Sequence, residues 1–118
     1  MRSDMHASDL RESTFRASDL EFASLVSANL RHSDLRKVNF RLADLEDTDL
    51  VGANLAGADL SEANLKNADL READLSGVVW RNIKAIDSAN VYGVKNAPEG
   101  FLPWAMQKGA ISKPGGDE

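Results

Sequence analysis

The chain has no cysteine, which excludes a disulfide framework, a thiolate metal site and a cysteine nucleophile. It also lacks any stretch approaching ~18 uninterrupted apolar residues, so no helix in it is expected to span a membrane. The opening MRSDMHASDLRES has no apolar core of a secretory signal, and a cytoplasmic address is expected. There is no excess of positive charge: the formal net charge is −5 and the pI about 5.0. That argues against direct nucleic-acid binding and leaves room for basic partners. Glycine does not cluster in the body. Gly52, Gly57 and Gly77 stand singly, where a phosphate-binding loop would group them.

What the chain does have is a period. Residues 54–75 read NLAGADLSEANLKNADLREADL, with Leu on every fifth residue. From Met5 to Trp80 every multiple of five is large and apolar: Leu10, Phe15, Leu20 and Leu25 continue through Phe40, Leu50 and Leu75. Two residues before each stands a small or β-branched residue, such as Ser13, Ala28, Val38, Thr48, Ala63 or Val78. The remaining positions carry nearly all the charge. At about 100° per residue, a helix would advance a five-residue step by about 140° and spiral the leucines around its axis. A strand fails too, because an odd period sends successive leucines to opposite faces. A chain that turns a corner every five residues satisfies the pattern. Each short side then points one large and one small side chain inward and leaves the other three residues to water.

From Ser3 to Asn82 the sequence closely resembles the pentapeptide-repeat family, whose motif is written A(D/N)LXX. The resemblance implies an all-β fold, a right-handed quadrilateral β-helix with four pentapeptides per coil. Charge order agrees with four sides. Of twelve pairs of preceding residues twenty apart, only Asp49 and Asp69 are both Asp. At the fifteen-residue spacing of a triangular coil, five of thirteen pairs are Asp–Asp. Carboxylates stacked about 4.8 Å apart repel by roughly 1 kcal/mol in water and more when half buried, so the square register is preferred. His6 and His32 then fall on different sides and coils with no third ligand. Inward hydroxyls such as Ser13, Ser33 and Thr48 have no nearby His. The carboxylates form a regular array rather than a convergent cleft. No catalytic residue, metal or other cofactor is expected, and the chain is not expected to be an enzyme.

The two ends differ. After Trp80 the next centres are Ile86 and Val91, which implies one inserted residue near Asn82–Ile83. Residues 1–95 are read as the repeat β-helix and 96–112 as a capping segment with a short helix. The stretch 113–118 is read as a disordered tail. Trp104 to Lys108 looks helical, with Gly109 suited to the position after its end. Phe101, Leu102, Trp104 and Met106 are too apolar for a free tail and are assigned to a cap over the last coil. The segment NVYGVKNAPEGFLPWAMQKGA is similar to the closing segment of many bacterial family members. At the N-terminal end, a coil beginning at Ser3 would leave a hydrogen-bonding edge uncovered. A homodimer through that coil is an expectation.

On the outside, Phe22 and Leu42 stack twenty residues apart, with Val26 around the corner, and form a candidate interaction patch. Arg11 and Arg31 stack with Arg71 beyond them, Arg16 stacks with Arg36, and all lie among carboxylates as a solvated, ion-paired skin. The expected function is a non-catalytic, protein-binding or scaffolding module for a protein partner that the sequence does not identify. The resemblance also implies an alternative, since some family members mimic DNA and bind type II topoisomerases such as DNA gyrase. The sign of the charge fits, with 10 Asp and 5 Glu against 9 Lys and Arg over Ser3–Asn82. The length does not, because four coils at about 4.8 Å each make a body only about 20 Å long.

Overall fold

The computed structural model describes residues 3–115. The residue before each large apolar centre bridges in parallel to the residue twenty positions later, from Asp4↔Ser24 to Asp59↔Val79. A twenty-residue coil with a corner every five residues has four sides. The first side carries Met5, Leu25, Leu45 and Leu65, and the second Leu10, Leu30, Leu50 and Leu70. The third carries Phe15, Leu35, Leu55 and Leu75, and the fourth Leu20, Phe40, Leu60 and Trp80. From Leu25 to Leu75 every centre is at most 1% exposed, and the small residues from Ala23 to Ala73 are at most 2% exposed. Both inward columns are therefore dry. The hydroxyls among them are satisfied: Ser33 Oγ donates to the Leu30 carbonyl and Thr48 Oγ1 to that of Leu25.

Each pentapeptide has five backbone N–H groups, and their partners explain the motif. Around Leu45, the Asp44 N–H donates to Ala23 of the previous coil at 2.9 Å. The N–H groups of Leu45 and Asp47 donate to Asn64 and Lys66 of the next coil at 2.8 and 3.0 Å. Thr48 closes the corner onto the Leu45 carbonyl at 3.2 Å. Only Glu46 lacks a backbone partner, and its N–H donates to Asp44 Oδ1 at 3.2 Å. The Asp or Asn before each centre is thus an Asx acceptor for the N–H two residues on. The same bond recurs, for instance, from Val51 to Asp49, from Ala56 to Asn54 and from Arg71 to Asp69. The third residue of each corner has positive φ, as in Asp47 at 61° and Gly57 at 73°. That is what a type II turn requires. With the corner taking so much of each side, pairing is confined to single bridges, and no continuous strand forms among the described residues.

Past Trp80 the spacing becomes twenty-one: Asn64↔Ala85, Asp69↔Asn90 and Asp74↔Lys95. The extra residue is a β-bulge. Lys84 supplies the N–H that donates to Ala63, while Ala85 supplies the carbonyl that accepts from Leu65. It lies one to two residues beyond the expected position, and Ile86 and Val91 are buried as centres. The chain then enters α1, Phe101–Gln107, three residues longer at its N-terminal end than the expected stretch. Pro103 lies in the first turn, where its missing N–H costs no helical bond. The helix ends in a Schellman motif: Ala110 N–H donates to Ala105, Gly109 N–H to Met106, and Gly109 has φ 103°. Beyond it the chain rejoins the coil, with Ile111 bridging to Asn90. Lys113 exchanges two bonds with the Asn90 side chain. Of the stretch 113–118 expected to be disordered, residues 116–118 lie outside the described residues.

Candidate interaction surfaces

The outer lattice is organised by the Asx residues. In each bridging column Asp tends to alternate with Ser, Asn or Thr, as in Asp4, Ser24, Asp44, Asn64 and in Asp19, Asn39, Asp59, Val79. Asn makes the same Asx bond as Asp, and its amide can also donate to the carboxylate on the coil before it. Asn39 Nδ2 reaches Asp19, and Asn64 Nδ2 reaches Asp44, both at 3.2 Å. The one like-charged neighbour pair, Asp49↔Asp69, sits between two arginines. Arg31 Nε lies 2.7 Å from Asp49 Oδ2, and Arg71 Nη2 lies 2.6 Å from Asp69 Oδ2. Arg71 is only 9% exposed. Elsewhere Arg11 grips Asp9 and Arg36 grips Asp34. The Arg36 hydrogen bonds lower the Asp34 carboxyl from 3.8 to about 2, and the Arg11 side chain lowers Asp9 in the same direction.

The expected patch forms in part. Phe22 and Leu42 occupy the corner between the fourth and first sides and are 43% and 38% exposed. They line one groove with Asp4, Asp44 and Glu62. Val26 is half-buried on the first side and does not line that groove. Of the residues assigned to the C-terminal segment, Phe101 is fully buried and Leu102 and Trp104 are half-buried. Rings of Trp80, Phe101 and Trp104 pack with centroids 5.2–6.0 Å apart. Met106 lies outside this cluster at 45% exposure, and Ala105, one turn from Phe101, takes the buried place. At the other end Met5, Leu10 and Phe15 are only partly buried. The N–H groups of Asp4, Asp9, Thr14 and Asp19 take no hydrogen bond among the described residues.

Sequence reasoning missed a second groove, of about 560 Å³, between the fourth side of the last coil and α1. It is lined by residues 78–83 with Trp104 and Lys108. Two signals could have found it. Val79 breaks the Asp/Asn rule, and Phe101, twenty-one residues after Trp80, is the register equivalent of a fourth-side centre but belongs to a helical stretch. Among the described residues no group of three or more His, Asp or Glu could hold a metal ion. No helix there is long and apolar enough to cross a membrane.

A single stacked core, four-sided coils and a surface of periodic polar columns define a β-helical repeat solenoid. The sequence model described as pentapeptide repeats (8 copies) matches residues 3–41 and 39–77, and the chain belongs to that family. It is similar in structure to a pentapeptide repeat protein from the Arabidopsis thaliana thylakoid lumen. That match has 23% identity and a TM-score of 0.84, over 97% of this chain and 79% of that one. Similar too is Rfr23 from the cyanobacterium Cyanothece 51142, at 27% identity and TM-score 0.64 over 93% of this chain. HetL from Nostoc sp. strain PCC 7120, described as involved in heterocyst differentiation regulation, matches at 32% identity and TM-score 0.62 over 92% of this chain. The chain spans 64% of the length of Rfr23 and 42% of HetL. These neighbours imply right-handed winding. No curated protein is significantly similar to the chain.

Proposed function

We propose that this protein is a non-catalytic binding module whose rigid coil presents the Phe22–Leu42 groove to a protein partner. The observation that carries the proposal is the pair of large apolar side chains, 43% and 38% exposed, stacked on adjacent coils of one corner column. The carboxylates of Asp4, Asp44 and Glu62 outnumber the one cation of the groove, Lys84, and favour a partner segment with apolar anchors flanked by Lys or Arg. Both residues have positive φ, 65° and 60°, which Asp tolerates better than most residues. The double variant Phe22→Asp, Leu42→Asp is therefore expected to fold and to lose the partners that the parent captures from its host. Equal capture by parent and variant would remove the groove from the reading.

In the same reading α1 is the cap of the solenoid, with Phe101 closing the core above Trp80. The first coil is the self-association edge. Its unpaired N–H and C=O groups suit a second copy, although the carboxylates of Asp4, Asp9 and Asp19 oppose that approach. Association is therefore expected to strengthen with added salt, which screens them. A light-scattering mass of one chain at micromolar concentration in both low and high salt would end the dimer proposal. A topoisomerase-binding DNA mimic draws less support. The longest dimension is 33 Å, and the arginines on Asp9, Asp34, Asp49 and Asp69 interrupt any acidic face.

A further inference from the structure

On three sides of the last complete coil, the N–H of the centre donates to a fifth rung: Leu65 to Ala85, Leu70 to Asn90 and Leu75 to Lys95. The fourth side has no such rung. Phe101 reaches the register of its centre and fills the core against Trp80, but its backbone is helical and offers no ladder. As a result the N–H groups of Trp80, Arg81, Asn82 and Ile83 and the carbonyl of Val78 have no hydrogen-bond partner among the described residues. Val79 cannot act as an Asx acceptor, so the Arg81 N–H loses even the local bond that Asp provides elsewhere. This edge opens onto the groove of about 560 Å³ walled by Trp104 and Lys108. The exposed side chain of Val79, at 39%, lies along it. Arg81 and Lys108 are the only charges lining the groove, and neither forms an ion pair among the described residues.

We propose that this edge is a strand-addition site for an extended acidic segment of a partner protein, which supplies the missing fourth-side rung. The geometry of the other coils defines the ligand. A residue lying over Val79 donates its N–H to the Val78 carbonyl and accepts from the Trp80 N–H. Two residues further on, another accepts from Asn82. Their side chains share the outer face, so an apolar, β-branched residue belongs over Val79 and Asp or Glu over Arg81. The residue between them faces Phe101 and must be small. Main-chain bonds provide affinity and the alternate side chains provide selectivity. The two grooves share the corner column that runs Phe22, Leu42, Glu62, Asn82, but this edge lies at its C-terminal end, and neither Phe22 nor Leu42 lines it.

The test is titration of the full chain with the capped peptide Ac-Ser-Ile-Ala-Glu-Ser-NH2, read by amide chemical shifts and tryptophan fluorescence. The expected result is saturable shifts of the Trp80 and Asn82 amides. Arg81→Glu and Lys108→Glu, both on exposed side chains, should keep the parent's melting temperature and weaken binding by roughly tenfold or more. N-methylation of the peptide's Ile nitrogen, which removes the donor to Val78, should abolish binding without altering the protein. Phe22→Asp should leave the titration unchanged. Unmoved Trp80 and Asn82 amides at millimolar peptide, or equal binding of the N-methylated peptide, would overturn the proposal.

Discussion

At the scale of the residue, the Asp or Asn before each centre does two jobs. Its Oδ1 takes the one N–H that the coil backbone cannot satisfy, as Asp34 does for Arg36 at 3.2 Å. The carboxylate also pairs with a neighbour: Arg36 Nε donates to the same Oδ1 of Asp34 at 2.9 Å and Arg36 Nη2 to Oδ2 at 2.7 Å. Asn would keep the first job and lose the charge and the Oδ2 acceptor that the second requires. Because the folded carboxyl of Asp34 is depressed from 3.8 to about 2, its contribution to stability is fully present above about pH 4 and is lost as pH falls through about 2. Asp34→Asn should therefore melt below the parent at pH 6, with the difference vanishing near pH 2. A difference unchanged between those two pH values would contradict the ion-pair assignment. The Asp/Asn preference was visible in the sequence, and its alternation correctly indicated a square coil. Its purpose was not, because the acceptor role depends on where the N–H two residues later points.

At the scale of the element, the corner is the unit that repeats, and its cost is the left-handed backbone of its third residue. Gly supplies that conformation freely at Gly52, Gly57 and Gly77, whereas Asp47, Glu62 and Asn67 bear it with a side chain. A Cβ on Gly77 would meet only the Gly57 nitrogen at 3.9 Å, so Gly77→Ala isolates the backbone term, and a loss of about 1–2 kcal/mol is expected. At Gly52 the His32 imidazole occupies the space of a side chain, so Gly52→Ala should lose more. Chemical denaturation of the two variants tests the order, and equal losses would mean that the imidazole moves aside without cost. The bulge at Lys84–Ala85 was legible only as a slip in spacing. Which residue bulges depends on how the N–H and C=O of two neighbours are shared with Ala63 and Leu65, a tertiary matter.

At the scale of the whole molecule, stability follows the stack. A solenoid is held by contacts between adjacent coils, so interior and terminal coils contribute unequally. Leu50 is fully buried between coils, and Leu50→Ala should cost roughly 2–5 kcal/mol through the cavity it leaves. Leu10 is only partly buried, on the first coil, and Leu10→Ala should cost roughly half of that or less. Equal losses at the two positions, measured by urea unfolding, would contradict a core that thins toward the N-terminal end. The candidate surfaces follow the same geometry. The Phe22–Leu42 groove could be located from the sequence because a strict period places residues twenty apart on one column. The groove beneath α1 was signalled only by Val79 and by the spacing of Phe101, because it exists only where the period ends.

The order of large, small and polar residues was enough, unaided, to determine which side chains go inward and, to within a few residues, where strict repetition fails; the four-sided coil came from the family resemblance, with which the charge order agreed. A five-residue period hides every leucine only if the chain turns a corner at each repeat, so that information is local. Tertiary structure alone decided what happens at the ends. The helix carries Phe101 into the core at the fourth-side register, yet its backbone bonds run along its own axis. Core closure and ladder closure therefore separate there, leaving the apolar interior sealed while the edge beside Trp80 stays open.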